Sequence, residues 1–307
     1  MFFDPKKTSF GRHETFQLRF GWLTKGYQAV DKNRQVFTDD EATMVLGVGK
    51  NMVSAIRYWL IACQVRQQND LDATPVGHII FDDHLGLDPY LEDEATIWLL
   101  HWLLATNPNN ATSWYWFFNK FHKVEFTSQE LTTALIDFVN DSLLEGKKPS
   151  EKTLQNDAQL LHRMYTQSKV SARVALEDSL DSPFSLLRLV TQSSDGRRFI
   201  SRPEARESLP LVVFGYAVLQ TMQARNLKSI PIEELMYSRE KNSAPGAVFR
   251  MTENGLMTKV EELILAIPGL FEIRDTAGIH QLFLLKECDV NTFLRENYNG
   301  LTVKASV

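Results

Sequence analysis

The chain has 307 residues, 44% of them apolar and 23% charged, a composition that suits a globular protein with a large core and two or three domains. A net charge of −5 gives no global signal for nucleic acid, and the two distant cysteines, Cys63 and Cys288, have no metal-ligand spacing. The opening MFFDPKKTSF lacks the basic-then-apolar order of a signal peptide, and the longest apolar runs, TIWLLHWLLA and PLVVFGYAVLQTM, are too short to span a bilayer. A cytoplasmic protein is expected.

The charge is unevenly distributed. Residues 1–68 hold ten Lys/Arg against six Asp/Glu, whereas residues 69–99 hold eight acids and no Lys or Arg. Within the basic part, Leu18, Trp22, Leu23 and Tyr27 form a helical stripe, with Arg19 and Lys25 off it. Thr38-Asp39-Asp40-Glu41 reads as a capping box that opens a short helix ending near Leu46. Gly47-Val48-Gly49 then breaks that helix.

A third helix is expected over about 50–65. Val53, Ile56, Leu60 and Cys63 make its buried face, and Lys50, Asn51, Ser54, Arg57 and Tyr58 lie opposite. The run VRQQNDLDATPVGHIIF reads as two short strands. Residues 1–87 therefore read as a winged helix-turn-helix that binds double-stranded DNA through Arg19, Lys25 and the polar face of the third helix. Such folds also serve as protein-interaction modules, and a basic face is also simply a solvated one. GVGKN, at the turn, is not a nucleotide loop: Met44 and Asn51 occupy positions that require Gly and Ser/Thr, and the preceding segment is helical.

Residues 88–227 read as a helical, aromatic-rich domain. Asp88-Pro89 looks like a helix start, and 111–122 hold six aromatics in twelve positions, either core packing or a stacking platform for unpaired bases. The stretch QSSDGRRFISRPEARES has four arginines, for a phosphate backbone or for solvent. Residues 228–307 repeat the early pattern: helices at PIEELM and TENGLMTKVEELILAI, then LFEIR and HQLFLL joined by Asp275-Thr276-Ala277-Gly278, a second winged-helix-like unit. The expected fold is mainly α with small β wings.

No nucleophile elbow, HExxH, CxxC or complete dinucleotide fingerprint occurs. Two constellations have catalytic chemistry. His13 and Glu14 are adjacent, a proton carrier beside a carboxylate, although a helix cap and a first-turn acid, a common pairing with the helix dipole, explain them more simply. Asp82, Asp83, His84, Asp88 and Glu92 are ligand types that hold Mg²⁺ or Mn²⁺ for phosphodiester hydrolysis, and acids at a helix start also complement its dipole. Asp88 is counted with His13 and Glu14 as a candidate catalytic residue.

At FGRHETFQLRFGWLTKGYQAV, LGVGKNMVSAIRYWL and GLDPYLEDEATIWLLHW the chain resembles the DUF4007-type family, the DNA-nicking B component of bacterial Ssp DNA phosphorothioation systems. The resemblance covers most of the chain, including the DTAG hairpin. It implies a DNA-binding nickase that gives a sulfur-transfer machinery access to the backbone. Its implied partners are a cysteine desulfurase, an ATPase and an ATP-pyrophosphatase-like sulfur-transfer enzyme. It assigns no catalytic residue, so a non-catalytic DNA-recognition or scaffold subunit stands as the alternative. A homodimer is compatible with a helix-turn-helix protein.

Overall fold

Glycine and apolar spacing account for the first three helices of the computed structural model, which describes residues 2–144, 146, 148–167, 182–238, 242–276 and 278–302. Helix α1 (Trp22–Lys32) buries Trp22, Leu23, Tyr27 and Val30. Helix α2 (Ala42–Leu46) ends at Gly47, whose φ of 62° is the left-handed conformation that closes a helix at low cost only for glycine. Helix α3 (Lys50–Ala62) follows directly. Val30, Val36, Leu46, Val53, Ile61 and Leu71 make the core of this trio.

Two local expectations fail here. The capping box does not form: Thr38 Oγ1 donates to the Gln35 carbonyl (2.9 Å), Asp39 Oδ1 accepts from the Glu41 N–H (3.1 Å), and α2 begins without a side-chain cap. The expected wing is also largely absent. A single antiparallel bridge joins Arg66 and Ala73, and the second expected strand is helix α4 (Pro75–Phe81). Thr74 Oγ1 accepts the Gly77 N–H (3.0 Å), and Pro75 is pre-set for the first helical turn.

Helix α5 (Glu94–Ala105) is capped by Asp93, not Asp88, and is buried from Ala95 to Ala105. A helix apolar on all sides belongs to a core. Helix α6 (Thr112–Asn119) continues that core: Trp114 meets Trp59 edge-on at 5.3 Å, and Phe117 stacks on Phe121 at 5.5 Å. All six aromatics of 111–122 are buried, so they pack the interior and offer no platform to bases.

Strand β1 (Glu125–Phe126) leads into α7 (Ser128–Ser142), where a true capping box joins Thr127 and Glu130. Then come α8 (Glu151–Tyr165), a 3₁₀ turn at Pro183–Leu187, and strands β2 (Thr191–Gln192) and β3 (Phe199–Ile200). These strands form a small antiparallel sheet in the order β1-β3-β2, with Phe126 opposite Phe199. Arginines of this region are held by the protein. Arg198 pairs with Glu125 (2.6 Å), and buried Arg206 donates to the carbonyls of Phe249 (3.0 Å) and Arg250 (3.2 Å).

All these elements up to Arg202, apart from Phe118–Lys120, form one compact unit, starting at Asp4. The basic module and the aromatic middle therefore share a unit. Pro203–Val307, with Phe118–Lys120 and the first residues of the chain, forms the other. It contains α9 (Leu211–Ala224), β4 (Ser229–Pro231), α10 (Ile232–Met236), α11 (Pro245–Val248), α12 (Glu253–Ala266), β5 (Phe271–Thr276), β6 (Ile279–Leu284) and α13 (Val290–Thr302). The β5–β6 hairpin forms as expected, Ala277 at its tip lying outside the described residues. β6 is the middle strand, with β4 on its other edge. The described protein is thus mainly helical with two small antiparallel sheets. None of its described helices is long and apolar enough to cross a membrane.

A candidate phosphate-binding cleft beside the third helix

Residues 9–15 form a strap held by hydrogen bonds to distant parts of the chain. The Ser9 N–H donates to Thr112 Oγ1 (2.9 Å), and the Gly11 N–H donates to Asp157 Oδ1 (2.9 Å). Gly11 has a φ of 69°, and a Cβ there would stand 2.6 Å from Thr153 Cγ2, so the position excludes a side chain. Asp157 is itself enclosed. It also accepts from Ser113 Oγ (2.6 Å) and meets His13 Nε2 at 2.8 Å.

His13 is only 1% exposed, and both of its nitrogens are occupied. Nδ1 accepts the Thr15 N–H (3.0 Å), which places the ring proton on Nε2, toward Asp157. With both nitrogens engaged by the protein, His13 anchors the strap. Its neighbours Arg12 and Glu14 are exposed. Glu14 (φ 50°) and Thr15 (φ 63°) are both left-handed, uncommon for any non-glycine residue and rarest for a β-branched one such as Thr15, at a cost on the order of 1–3 kcal/mol each. Arg163 donates to the Thr15 carbonyl (3.0 Å) and helps to hold that shape.

The anchored strap forms one wall of a cleft of about 610 Å³. Arg12 and Glu14 enter from the strap, and Ser54, Arg57 and Tyr58 from α3. Gln68 and Asn69 come from the loop after α3, Asn109 and Asn110 from the loop before α6. Arg12 and Arg57 form no ion pair or hydrogen bond with any described residue. Two guanidinium groups therefore face one carboxylate, and the lining favours an anion. Burial, with Asp157 and Cys63 nearby, holds the Tyr58 hydroxyl pKa well above its usual value, so the group stays a donor.

Lys50 and Asn51 are exposed on the first turn of α3. With Ser54 and Arg57 they make a polar face that runs along the helix into the cleft. Lys25 and Arg19 each have a contact within the protein. Lys25 Nζ donates to the Leu46 carbonyl at the end of α2 (3.0 Å), and Arg19 lies over the Trp22 ring at 5.5 Å.

The acids of 82–92 do not assemble into a ligand set. Asp82 accepts the N–H groups of His84 (3.0 Å) and Leu85 (2.8 Å), contacts that lower its pKa. Asp83 accepts from Gln28 (2.7 Å), and Glu92 is exposed. Asp88 is 5% exposed, with its two oxygens taken by the N–H groups of Glu92 (2.8 Å) and Asp93 (3.1 Å). Asp82 and Asp88 thus shape turns, and both oxygens of Asp88 are taken up by backbone N–H groups. Among the described residues no three His, Cys, Asp or Glu side chains converge to hold a metal ion.

The DUF4007 profile, described as a protein of unknown function, matches residues 10–298. The chain belongs to the DUF4007 family. Two crystal structures resemble this DUF4007 chain over nearly its whole length. One, of SspB, has a TM-score of 0.80 at 30% identity and covers 97% of this chain and 90% of its own. The other, of magnesium ion-bound SspB, has a TM-score of 0.81 at 30% identity and covers 98% and 91%. No curated protein matches the chain. Of the cleft residues, the sequence patterns had identified Glu14, Ser54, Arg57 and Tyr58, but not Arg12 or the carboxamides. NPNNATS carries only the signal of a turn.

Proposed function

We propose that this chain is the DNA-nicking component of an Ssp-type phosphorothioation system, and that Arg12, Arg57 and Lys50 bind the DNA backbone. The likeness to SspB over 97% of the chain carries the assignment to that system. The unpaired arginines beside an exposed helix face support phosphate binding. The strained Glu14 beside them is the one carboxylate of the cleft, and strain of this kind clusters at working sites. The sulfur-transfer and ATPase subunits of such a system are the partners this reading implies.

The second unit supports a winged-helix reading in its order of elements. Helix α9, strand β4, helices α10 and α12 and the β5–β6 hairpin follow one another, and β4 lies on the hairpin. Its α12 exposes Glu253, Glu261 and Glu262, while Lys259 is buried, so this helix offers no basic face to a phosphate backbone. DNA contacts are assigned to the first unit.

A second reading, a non-catalytic recognition subunit, is favoured by one observation: the acids do not form a metal set among the described residues. A divalent cation enters the nicking reading only through the likeness to magnesium ion-bound SspB, and no step is assigned to it. Highly purified protein with supercoiled plasmid separates the readings. Open circles that disappear in the Arg12→Ala/Arg57→Ala variant support nicking, whereas salt-sensitive gel shifts without open circles support recognition alone.

A further inference from the structure

Phosphate binding explains the arginines of the cleft but not its other wall. Gln68, Asn69 and Asn109 are carboxamides, each of which offers both donors and acceptors. A phosphate has only acceptors to offer, so a phosphate alone leaves the amide oxygens unmatched. Asn109 Oδ1 is enclosed and has no hydrogen-bond partner. The side chains of Gln68 and Asn69 make no hydrogen bond with any described residue, nor does the Tyr58 hydroxyl. Groups of this kind match the edge of a nucleobase, where amino groups and ring nitrogens alternate as donors and acceptors. Size points the same way. A cavity of about 610 Å³ lies in the range that holds a single small molecule such as a nucleotide.

We infer that the cleft receives one nucleotide unstacked from a DNA strand, its phosphate between Arg12 and Arg57 and its base edge against Asn69 and Asn109. The inference rests on the DNA reading above and deepens it. Removing a base from the stack costs a few kcal/mol, and least where the base is already unpaired. The protein should therefore select DNA in which that cost is absent.

The test compares binding to two duplexes that differ only in one central unpaired nucleotide, by gel shift and anisotropy. The full chain is expected to bind the bulged duplex at least about tenfold more tightly than the matched one, a 1.4 kcal/mol difference. Asn69→Ala/Asn109→Ala should remove that preference, bringing the ratio of the two affinities to about one. Arg12→Ala/Arg57→Ala should weaken both complexes. Circular dichroism and thermal melts of each variant exclude loss of folding as the cause. Equal binding of the two duplexes by the parent overturns the inference and leaves the DNA reading intact. Binding of neither duplex overturns both. Calorimetry with free dAMP separates the sources of the ligand: saturation by dAMP with no bulge preference makes the cleft a free-nucleotide site and overturns the strand-borne version.

Discussion

Asp157 holds the strap at one point, since its two oxygens serve Gly11, His13 and Ser113 at once. Asp157→Ala leaves three enclosed donors without their acceptor and is expected to lower stability in urea unfolding by about 2–4 kcal/mol. Arg12→Ala, an exposed change, should leave stability within about 0.5 kcal/mol and still weaken DNA binding. Equal effects of the two substitutions on stability would show that the strap is not held as described. His162 gives a separate handle on the same unit. It stacks on Phe199 at 4.0 Å and bonds Ser128 at 3.1 Å, and burial, then Arg163, push its pKa from 6.5 down to about 4. Between those values the unfolded imidazole holds a proton that the folded one does not. Stability therefore falls as the pH drops from 6.5 toward 4, by on the order of 3 kcal/mol. His162→Phe should flatten that part of the curve in melts at a series of pH values, and an unchanged slope would assign the loss to other groups.

At the scale of elements, the first three helices were legible because their signals are local. A glycine pair breaks the chain, and apolar residues recur at spacings of three and four on either side. Lys50→Ala/Arg57→Ala should reduce the slope of log affinity against log salt by about 2, since each lost phosphate contact removes roughly 0.9. An unchanged slope would mean that α3 does not face DNA. Thr127→Ala, which breaks the capping box of α7, should cost about 1 kcal/mol and leave DNA binding unaltered. The wing was misread because PVGHIIF is a short apolar run, which periodicity alone cannot assign to strand or helix. Thr74 as cap and Pro75 at the first turn decide it. The start of α5 was misplaced for a similar reason. Asp88 and Asp93 both precede the apolar run, and tertiary contacts give Asp88 to the turn and Asp93 to the cap.

For the whole molecule, the mainly helical class, the C-terminal hairpin and the family could be read from the chain itself, but the β1-β3-β2 sheet could not, and nor could the cleft. Its walls come from residues 8–14, 54–61, 68–69 and 109–110, and no spacing rule joins segments a hundred residues apart. The reverse happened at 82–92, where five ligand-type residues crowd together in sequence and then turn to backbone N–H groups, neighbouring side chains or solvent. Asp82→Asn, Asp83→Asn and Glu92→Gln are accordingly expected to leave any cleavage rate within about twofold. The account depends most on the cleft as the place where the DNA backbone is bound and broken. Its most direct test is the rate of open-circle formation from supercoiled plasmid with magnesium present, for the parent and for Arg12→Ala/Arg57→Ala at matched purity. The account predicts nicking by the parent and a loss of at least about tenfold in the variant. Equal rates for both proteins, or open circles from neither, would contradict it.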